Sequence, residues 1–224
     1  ETRTAMYAEM SRVLAAIHSV DLEKVGLGDY GKPGSYFERQ LSRWTKQYRA
    51  SELEHIEEIE SLIAYLEANL PEDDGQVSLV HGDFRLDNMM FDMSDLAKPK
   101  VVAVLDWELS TLGHPYADLA YQCMQLRLPC DIAHAAGLGG LDRKALGIPS
   151  EAEYVKAYCQ HRGIEHIDNW TFYLAFSFFR LAAILQGVVK RAHDGNASSE
   201  KAMQLGAMVR PLAQIANQTI HQDS

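Results

Sequence analysis

Hydrophobic periodicity changes twice along this 224-residue chain, and the changes limit the folds open to it. Before Pro71 the apolar residues recur every three to four positions, which is typical of amphipathic helices. Short apolar runs then predict buried strands at 77–80, 88–91 and 101–105. Helical spacing returns after Pro115. The pattern therefore favours an α+β fold that is mostly helical, with a small β-hairpin-like insert.

Capping and breaking residues predict where the helices begin and end. The first helix is expected to end near His18. Ser35 with Glu38, and Ser51 with Glu54, have the spacing of a capping box, so a helix is expected to open at each serine. After the strands, the predicted helices cover 115–126, 151–163, 168–190 and 198–218.

Composition and charge exclude several classes of protein. The 21 basic and 31 acidic residues give a net charge of −10, which argues against nucleic acid as a partner. Residues 170–189 are apolar enough for a membrane span, but Arg180 at their centre favours a buried core helix and no membrane partner. Cys123, Cys130 and Cys159 lack metal-site spacing, so we expect three core thiols in a reducing, cytoplasmic setting.

Polar clusters directly follow two of the predicted strands. Residues 81–88 read His-Gly-Asp-Phe-Arg-Leu-Asp-Asn, and residues 105–108 read Leu-Asp-Trp-Glu. The oxygens of Asp83, Asn88 and Asp106 are of the type that Mg²⁺ prefers. The spacing of Asp83 and Asn88 is also that of a kinase catalytic loop, in which the Asp accepts the proton of the acceptor hydroxyl and the Asn holds a metal. These clusters therefore predict the active site.

Three linked motifs resemble the aminoglycoside phosphotransferase family of kinase-like enzymes. They are the two clusters above and Gly-His-Pro-Tyr-Ala-Asp-Leu-Ala at 113–120. In detail they are most similar to the phosphotransferase-like domain fused to acyl-CoA dehydrogenases and to its free-standing bacterial relatives. The resemblance implies that residues 1–224 are the C-terminal lobe of a protein-kinase-like fold, in which a small hairpin insert carries the catalytic loop.

The resemblance also implies a role for each motif residue. Asp83 would be the catalytic base, while Asn88 and Asp106 would bind the Mg²⁺ that contacts the ATP phosphates. Arg85 would stabilise the charge that develops on the transferred phosphoryl group. An ion pair between Arg85 and Asp87 is the alternative interpretation.

Two further residues would support the loop, and one lobe is missing. His81 is expected to be a structural member of the loop, and Asp118 is expected to accept backbone hydrogen bonds that hold it. No glycine-rich phosphate loop or strand lysine precedes Asp83 in this sequence. We therefore expect that the nucleotide-covering lobe lies outside the chain, as a missing N-terminal lobe or fused domain, and that the chain alone is inactive.

Other functions stay open at this point. One is a kinase-like binding module without chemistry, and another is a metal-dependent hydrolase with His81, Asp83, Asp106 and His114 as ligands. For a phosphotransferase, the acceptor is expected to be a small-molecule hydroxyl. The resemblance favours a hydroxyacyl compound, or its CoA thioester, over an aminoglycoside. Basic residues that could bind an anionic CoA are Arg127, Arg143, Lys144, Arg180, Lys190 and Arg191.

Overall fold

The computed structural model describes residues 1–32, 34–130, 137–195 and 204–223. Within these ranges the named elements run in the order α1 (Thr2–His18), α2 (Tyr36–Ser51), α3 (Glu57–Ala68), β1 (Ser78–Val80), β2 (Met89–Asp92), β3 (Lys100–Val104), β4 (Thr111–Gly113), α4 (Tyr116–Arg127), α5 (Glu151–Arg162), α6 (Trp170–His193) and α7 (Val209–Asp223). The prediction of a mostly helical α+β protein is confirmed. Residues 198–203 of the last predicted helix lie outside the described residues.

The chain divides into two compact units. The first unit comprises Glu1–Gly34, Asp73–Leu126 and Leu141–Asp168, and it contains all four strands and the three predicted motifs. The second unit comprises Ser35–Glu72, Arg127–Gly140 and Asn169–Ser224. Each unit is built from segments that are distant in sequence.

Helices α1 and α5 pack against each other in the first unit, which also contains α4 up to Leu126. Met10 and Leu14 lie four residues apart on one face of α1, and both are fully buried. Tyr154 and Tyr158 of α5 are buried as well. The rings of Tyr7 and Tyr154 meet edge to face, with centroids 6.3 Å apart. This aromatic packing joins α1 to α5, and α1 also contacts β1 and β3.

The four strands form two separate antiparallel pairs. β1 pairs with β4, placing Leu79 opposite Leu112. The sequence did not predict β4, because Thr-Leu-Gly is too short to show a period. β2 pairs with β3, and the register is irregular between Met90 and Phe91. The predicted strands at 77–80, 88–91 and 101–105 thus match β1, β2 and β3 in position. The prediction that they are buried holds for β1 but is wrong for most of β2 and β3, because one surface of that hairpin is left uncovered.

The β2–β3 hairpin has one covered edge and one open face. On the covered side, the Val101 backbone N–H donates to the Glu9 carboxylate of α1 at 3.1 Å. Met90 is 52% exposed and Val102 is 61% exposed. We call the exposed surface of the hairpin at Met90 the open hairpin face.

Helix α6 is the core helix of the second unit. It is long and apolar enough to cross a membrane, but 72% of its most apolar stretch is buried inside the protein. The ring of Phe37 in α2 lies 5.6 Å from the ring of Phe172 and 5.3 Å from that of Phe176. This burial favours a core helix.

Both predicted capping boxes are wrong in detail. Helix α2 does begin after Ser35, but Ser35 has φ 44° and its side chain makes no capping hydrogen bond. Ser51 opens no helix, because it is the last residue of α2, and α3 begins only at Glu57. Within the second unit the Ser51 carbonyl accepts a hydrogen bond from the Gln186 side chain of α6 at 2.9 Å. That tertiary contact is invisible to a local motif.

The cysteines agree with the prediction at two of three positions. Cys123 and Cys159 are buried and are not joined in a disulfide, as expected for small core residues. Cys130 is also free but exposed, so its assignment to the core is wrong.

Candidate functional site

The predicted catalytic loop begins at His81, directly after β1. His81 is fully buried, and both of its ring nitrogens are engaged. Nε2 lies 2.9 Å from the Leu105 carbonyl oxygen, while Nδ1 accepts a hydrogen bond from the Asp83 backbone N–H at 3.2 Å. The Trp107 ring packs on the imidazole, with centroids 4.6 Å apart. His81 therefore ties the loop to the end of β3.

Gly82 is the residue that lets the loop turn. Its φ of +88° lies in the left-handed region that side chains disfavour. A Cβ atom here would also lie 2.6 Å from the Leu109 carbonyl oxygen, well inside van der Waals contact. Glycine is therefore required by both conformation and space.

The carboxylate of Asp118 anchors the loop from α4. It is buried, and it accepts hydrogen bonds from the backbone N–H groups of His81 at 2.6 Å and Gly82 at 2.8 Å. A third contact joins it to Nε2 of His18, at 3.2 Å. The structure thus contains backbone hydrogen bonds of the kind that the resemblance implies for Asp118. They satisfy a buried carboxylate that would otherwise be costly.

Asp83 and Asn88 are joined directly. The Asn88 amide nitrogen donates to the backbone oxygen of Asp83 at 2.9 Å and to its Oδ2 at 3.0 Å. The Asn88 carbonyl accepts from the Leu105 N–H at 2.8 Å, next to the paired residues Met89 and Val104. Asp83 and Asn88 therefore lie at one end of the hairpin, where β2 begins and β3 ends.

Asp106 follows β3 at this same end of the hairpin. It is exposed and has φ 65°, a left-handed conformation that aspartate tolerates better than most residues. A short 3₁₀ turn follows it, in which the Trp107 indole N–H donates to the Val104 carbonyl at 2.8 Å. The strained turn ends the strand and exposes the carboxylate beside Leu105, the residue that contacts both His81 and Asn88.

Arg85 forms an ion pair with Asp87 in this structure. The side chain of Arg85 is about one third exposed, and its Nε atom is buried with no hydrogen-bond partner among the described residues. The local ion pair therefore exists. A contact with a transferred phosphoryl group stays a prediction.

The structure does not support the hydrolase interpretation, because the two histidines proposed as ligands use their ring nitrogens for other contacts. His81 uses both ring nitrogens inside the loop. His114 is buried, its Nε2 lies 3.3 Å from Asp74, and its Nδ1 accepts from the Tyr116 N–H at 3.3 Å. Burial lowers the pKa of His114, although Asp74 opposes the shift. His114 thus supports the entry into α4.

Sequence reasoning missed two residues behind the loop, His18 and Tyr158. His18 lies eight residues after Met10 and four after Leu14, so it continues the apolar stripe of α1. A histidine at such a position is expected to be buried and to need a polar partner. That signal identifies His18 as buried but names no partner, because Asp118 lies 100 residues away.

Some of the basic residues suggested for CoA are engaged in local contacts. Arg143 donates to the Leu126 carbonyl at 2.8 Å, and Lys190 pairs with Asp194 at 2.7 Å. Arg180 lies over the Trp44 ring, 5.8 Å from its centroid. These contacts give the three residues structural roles.

Comparison with known proteins agrees with the motifs. The model of the phosphotransferase enzyme family (APH) matches residues 1–173. Mouse (Mus musculus) acyl-CoA dehydrogenase family member 10 is 50% identical over 214 residues, covering 96% of this chain and 20% of the mouse protein. The chain thus spans about one fifth of this curated relative.

Two solved structures show the same fold. A "putative aminoglycoside phosphotransferase" from Ralstonia eutropha JMP134 superposes with a TM-score of 0.91 at 50% identity, covering 99% of this chain and 66% of that one. The spectinomycin phosphotransferase APH(9)-Ia, solved with ADP and spectinomycin, gives 0.58 at 12% identity, covering 96% and 65%. The second likeness shows the fold alone. Together with the matched family model, the motifs and the fold establish that this chain belongs to the phosphotransferase enzyme family.

Proposed function

We propose that this chain is the catalytic lobe of a phosphotransferase that moves the γ-phosphoryl group of ATP to a hydroxyl of a small molecule, with Mg²⁺. The observation that carries the proposal is the pair of hydrogen bonds from Asn88 to Asp83, at the end of the hairpin where Asp106 also emerges. In a member of this family, that arrangement supports Asp83 as the base and Asn88 with Asp106 as the metal ligands.

The donor atoms fit Mg²⁺. Asn88 uses its amide nitrogen for Asp83, which leaves the amide oxygen as its atom for a cation. Asp106 is exposed, and among the described residues no group donates a hydrogen bond to its carboxylate. A carboxylate and an amide oxygen suit a hard cation that fills its other positions with water and phosphate oxygens. Bound there, Mg²⁺ would neutralise charge on the phosphates.

Other residues of the chain act on the acceptor hydroxyl, the catalytic loop and the transferred phosphoryl group. Asp83 accepts the proton of the acceptor hydroxyl, and the hydrogen bond from Asn88 fixes the orientation of its carboxylate. Asp118 and His81 hold the loop so that Asp83 needs no rearrangement. Arg85 stabilises the charge on the transferred group after it exchanges Asp87 for a phosphoryl oxygen.

The fold proposal has the same basis. The chain corresponds to the C-terminal lobe of a kinase-like protein, and the β2–β3 hairpin is the insert at whose end the catalytic loop lies. A separate lobe that covers the nucleotide would supply the remaining phosphate contacts. The chain alone would then lack most of the positioning on which phosphoryl transfer depends, and it would be inactive.

For the acceptor we propose a hydroxyacyl compound, free or as its CoA thioester. The support is the 50% identity to a region of a protein named as an acyl-CoA dehydrogenase. A phosphate-transfer screen of the full-length protein against hydroxyacyl-CoAs, aminoglycosides and choline-like alcohols tests this choice. Transfer to an aminoglycoside and not to a hydroxyacyl compound would overturn it.

The proposed base is tested with Asp83→Asn in the full-length protein. The amide cannot accept the hydroxyl proton, so kcat for ATP-dependent phosphate transfer should fall by about 100-fold or more. Asp95→Asn is the matched control, because Asp95 is an exposed carboxylate in the turn of the same hairpin. Equal turnover of Asp83→Asn and the wild type would contradict the assignment.

Arg85 needs a test that separates its two interpretations. If Arg85 contacts the phosphoryl group, Arg85→Ala should lower kcat by about 100-fold or more, while Asp87→Ala should leave it within a few-fold. If the ion pair is the whole role of Arg85, the two variants should resemble each other and change kcat little. Steady-state kinetics of both variants decide between the interpretations.

A further inference from the structure

A buried histidine lies directly behind the candidate catalytic loop. The His18 side chain is 0% exposed, and it contacts two other buried groups. Its Nε2 lies 3.2 Å from Oδ2 of Asp118, and its Nδ1 lies 2.7 Å from the hydroxyl of Tyr158. We propose that His18 is a positioning residue for phosphoryl transfer, which acts by fixing the Asp118 carboxylate that holds the catalytic loop. The inference rests on the proposed function of that loop.

The contact with Asp118 determines which ring nitrogen of His18 carries a hydrogen. The Asp118 carboxylate has only acceptor oxygens, so Nε2 of His18 must carry the hydrogen. In a neutral imidazole Nδ1 is then an acceptor, and the Tyr158 hydroxyl donates to it. Burial lowers the pKa of His18, which agrees with a neutral ring, although the hydrogen bond to Asp118 opposes the shift.

The same oxygen of Asp118 receives two of its three hydrogen bonds. Oδ2 accepts from His18 Nε2 and from the His81 N–H, whereas Oδ1 accepts from the Gly82 N–H. A carboxylate with hydrogen bonds to both oxygens cannot rotate without losing at least one of them. Of these three hydrogen bonds, the one from His18 comes from outside the loop, so it resists movement of the Asp118 carboxylate relative to α1.

The contacts of the His18 side chain also join three helices. His18 is the last residue of α1, Asp118 lies in the first turn of α4, and Tyr158 lies in α5. Arg162 of α5 donates to the His18 carbonyl at 2.7 Å, so the backbone at the end of α1 is held as well. The packing of α1 and α5 therefore helps to set the position of the loop. Asp83 is the residue directly after Gly82, so its position depends on the same contacts.

The experiment uses two substitutions of His18 in the full-length protein. His18→Leu fills much of the space but donates nothing to Asp118, so kcat should fall by roughly 10- to 100-fold with KM for ATP nearly unchanged. His18→Gln keeps an amide N–H to donate to Asp118, and it should restore most of kcat. His161→Leu is the matched control, since His161 is exposed on α5.

A second measurement does not depend on activity. Hydrogen exchange of the His81 and Gly82 amides should become faster in His18→Leu than in the wild type, while His18→Gln should retain the protection. Nitrogen chemical shifts of the His18 ring should show a neutral imidazole with its hydrogen on Nε2. A hydrogen on Nδ1, or unchanged exchange in His18→Leu, would overturn the inference.

The outcomes separate this inference from the proposed function. If Asp83→Asn abolishes transfer and His18→Leu does not change kcat, the function stands and the positioning role is wrong. If the wild type transfers no phosphate to any acceptor, the function is wrong, and the amide exchange still tests whether His18 holds the loop. A loss of kcat in both His18 variants, with equal loss of thermal stability, would mean a purely structural role and would also overturn the inference.

Discussion

At the scale of single residues, the site depends on close backbone approach. Gly82 brings the loop against the Leu109 carbonyl, where a Cβ atom would lie 2.6 Å from the oxygen. Next to this turn, hydrogen bonds from the Asn88 amide orient the side chains of Asp83 and Asn88. A change of one carbon atom at Gly82 should therefore act on both stability and catalysis.

Gly82→Ala tests this approach, and Gly75→Ala is its matched control. Both glycines have positive φ, +88° and +75°, but nothing lies within 4 Å of a Cβ at Gly75. We expect Gly75→Ala to cost about 1–2 kcal/mol of unfolding free energy, for the left-handed backbone alone. Gly82→Ala should cost at least about 1 kcal/mol more, because of overpacking. Urea denaturation measures both, and equal losses would contradict the close approach.

The residues of the candidate site could be proposed from sequence because they are local to short motifs. Asp83 and Asn88 have a fixed spacing, and Asp106 directly follows a recognisable strand. His18 and Tyr158 could not be assigned a partner, because their contact spans 140 residues. No local pattern encodes such a pair.

At the scale of elements, the same capping-box signature has different outcomes at Ser150 and at Ser51. At the start of α5, the Ser150 hydroxyl accepts from the Glu153 N–H at 3.2 Å, and the Glu153 carboxylate accepts from the Ser150 N–H at 2.8 Å. This is a formed capping box, and Gly163 ends the helix with φ 67°. The predicted helix at 151–163 agrees with α5 to within one residue. Ser51 had the same sequence signature but lies at a helix end, so tertiary packing overrode the local signal.

Ser150→Ala should cost about 1 kcal/mol of stability, because the N–H of Glu153 loses its acceptor. Ser150→Asp retains an acceptor at this position, and it should keep most of the stability. Thermal unfolding of the two variants gives the comparison. A similar loss in both would show that the cap contributes little to the stability of α5.

At the scale of the whole molecule, two buried histidines predict how stability depends on pH. Burial lowers the pKa of both His18 and His114 in the folded protein, with partial opposition from Asp118 and Asp74. The unfolded chain protonates with an ordinary histidine pKa near 6.5 and so binds more protons than the folded chain in mildly acidic solution. Stability should therefore be highest above that pH and fall as the solution is acidified toward the depressed folded values.

Urea unfolding of the full-length protein at about pH 7.5 and about pH 5.5 measures this loss, since both values lie above the range in which most carboxylates titrate. His18→Gln should reduce the difference between the two pH values, because it removes one of the buried imidazoles. His161→Gln, which changes an exposed histidine, should leave the difference unchanged. Greater stability at the lower pH would contradict the prediction.

The division into two compact units could not be read from the sequence. Each unit collects three segments. Glycine- and proline-rich stretches lie next to the boundaries at Gly34 and Leu126, but such composition predicts loops and does not show which segments pack into one unit. Helical periodicity predicts where the helices lie in the sequence, but it does not predict which helices pack together. Only the position of the strands next to the candidate site could be predicted, because apolar runs and polar clusters alternate in that part of the sequence.

The open hairpin face has a practical consequence for probing the full-length protein. Met90 is 52% exposed on that face, whereas Met10 of α1 is 0% exposed. Because thioether oxidation follows solvent access, mild peroxide treatment would convert Met90 to the sulfoxide long before Met10. Covering the face with another part of the protein would slow that conversion. The ratio of the two sulfoxides, read by mass spectrometry, therefore serves as an internal gauge of whether the hairpin is covered.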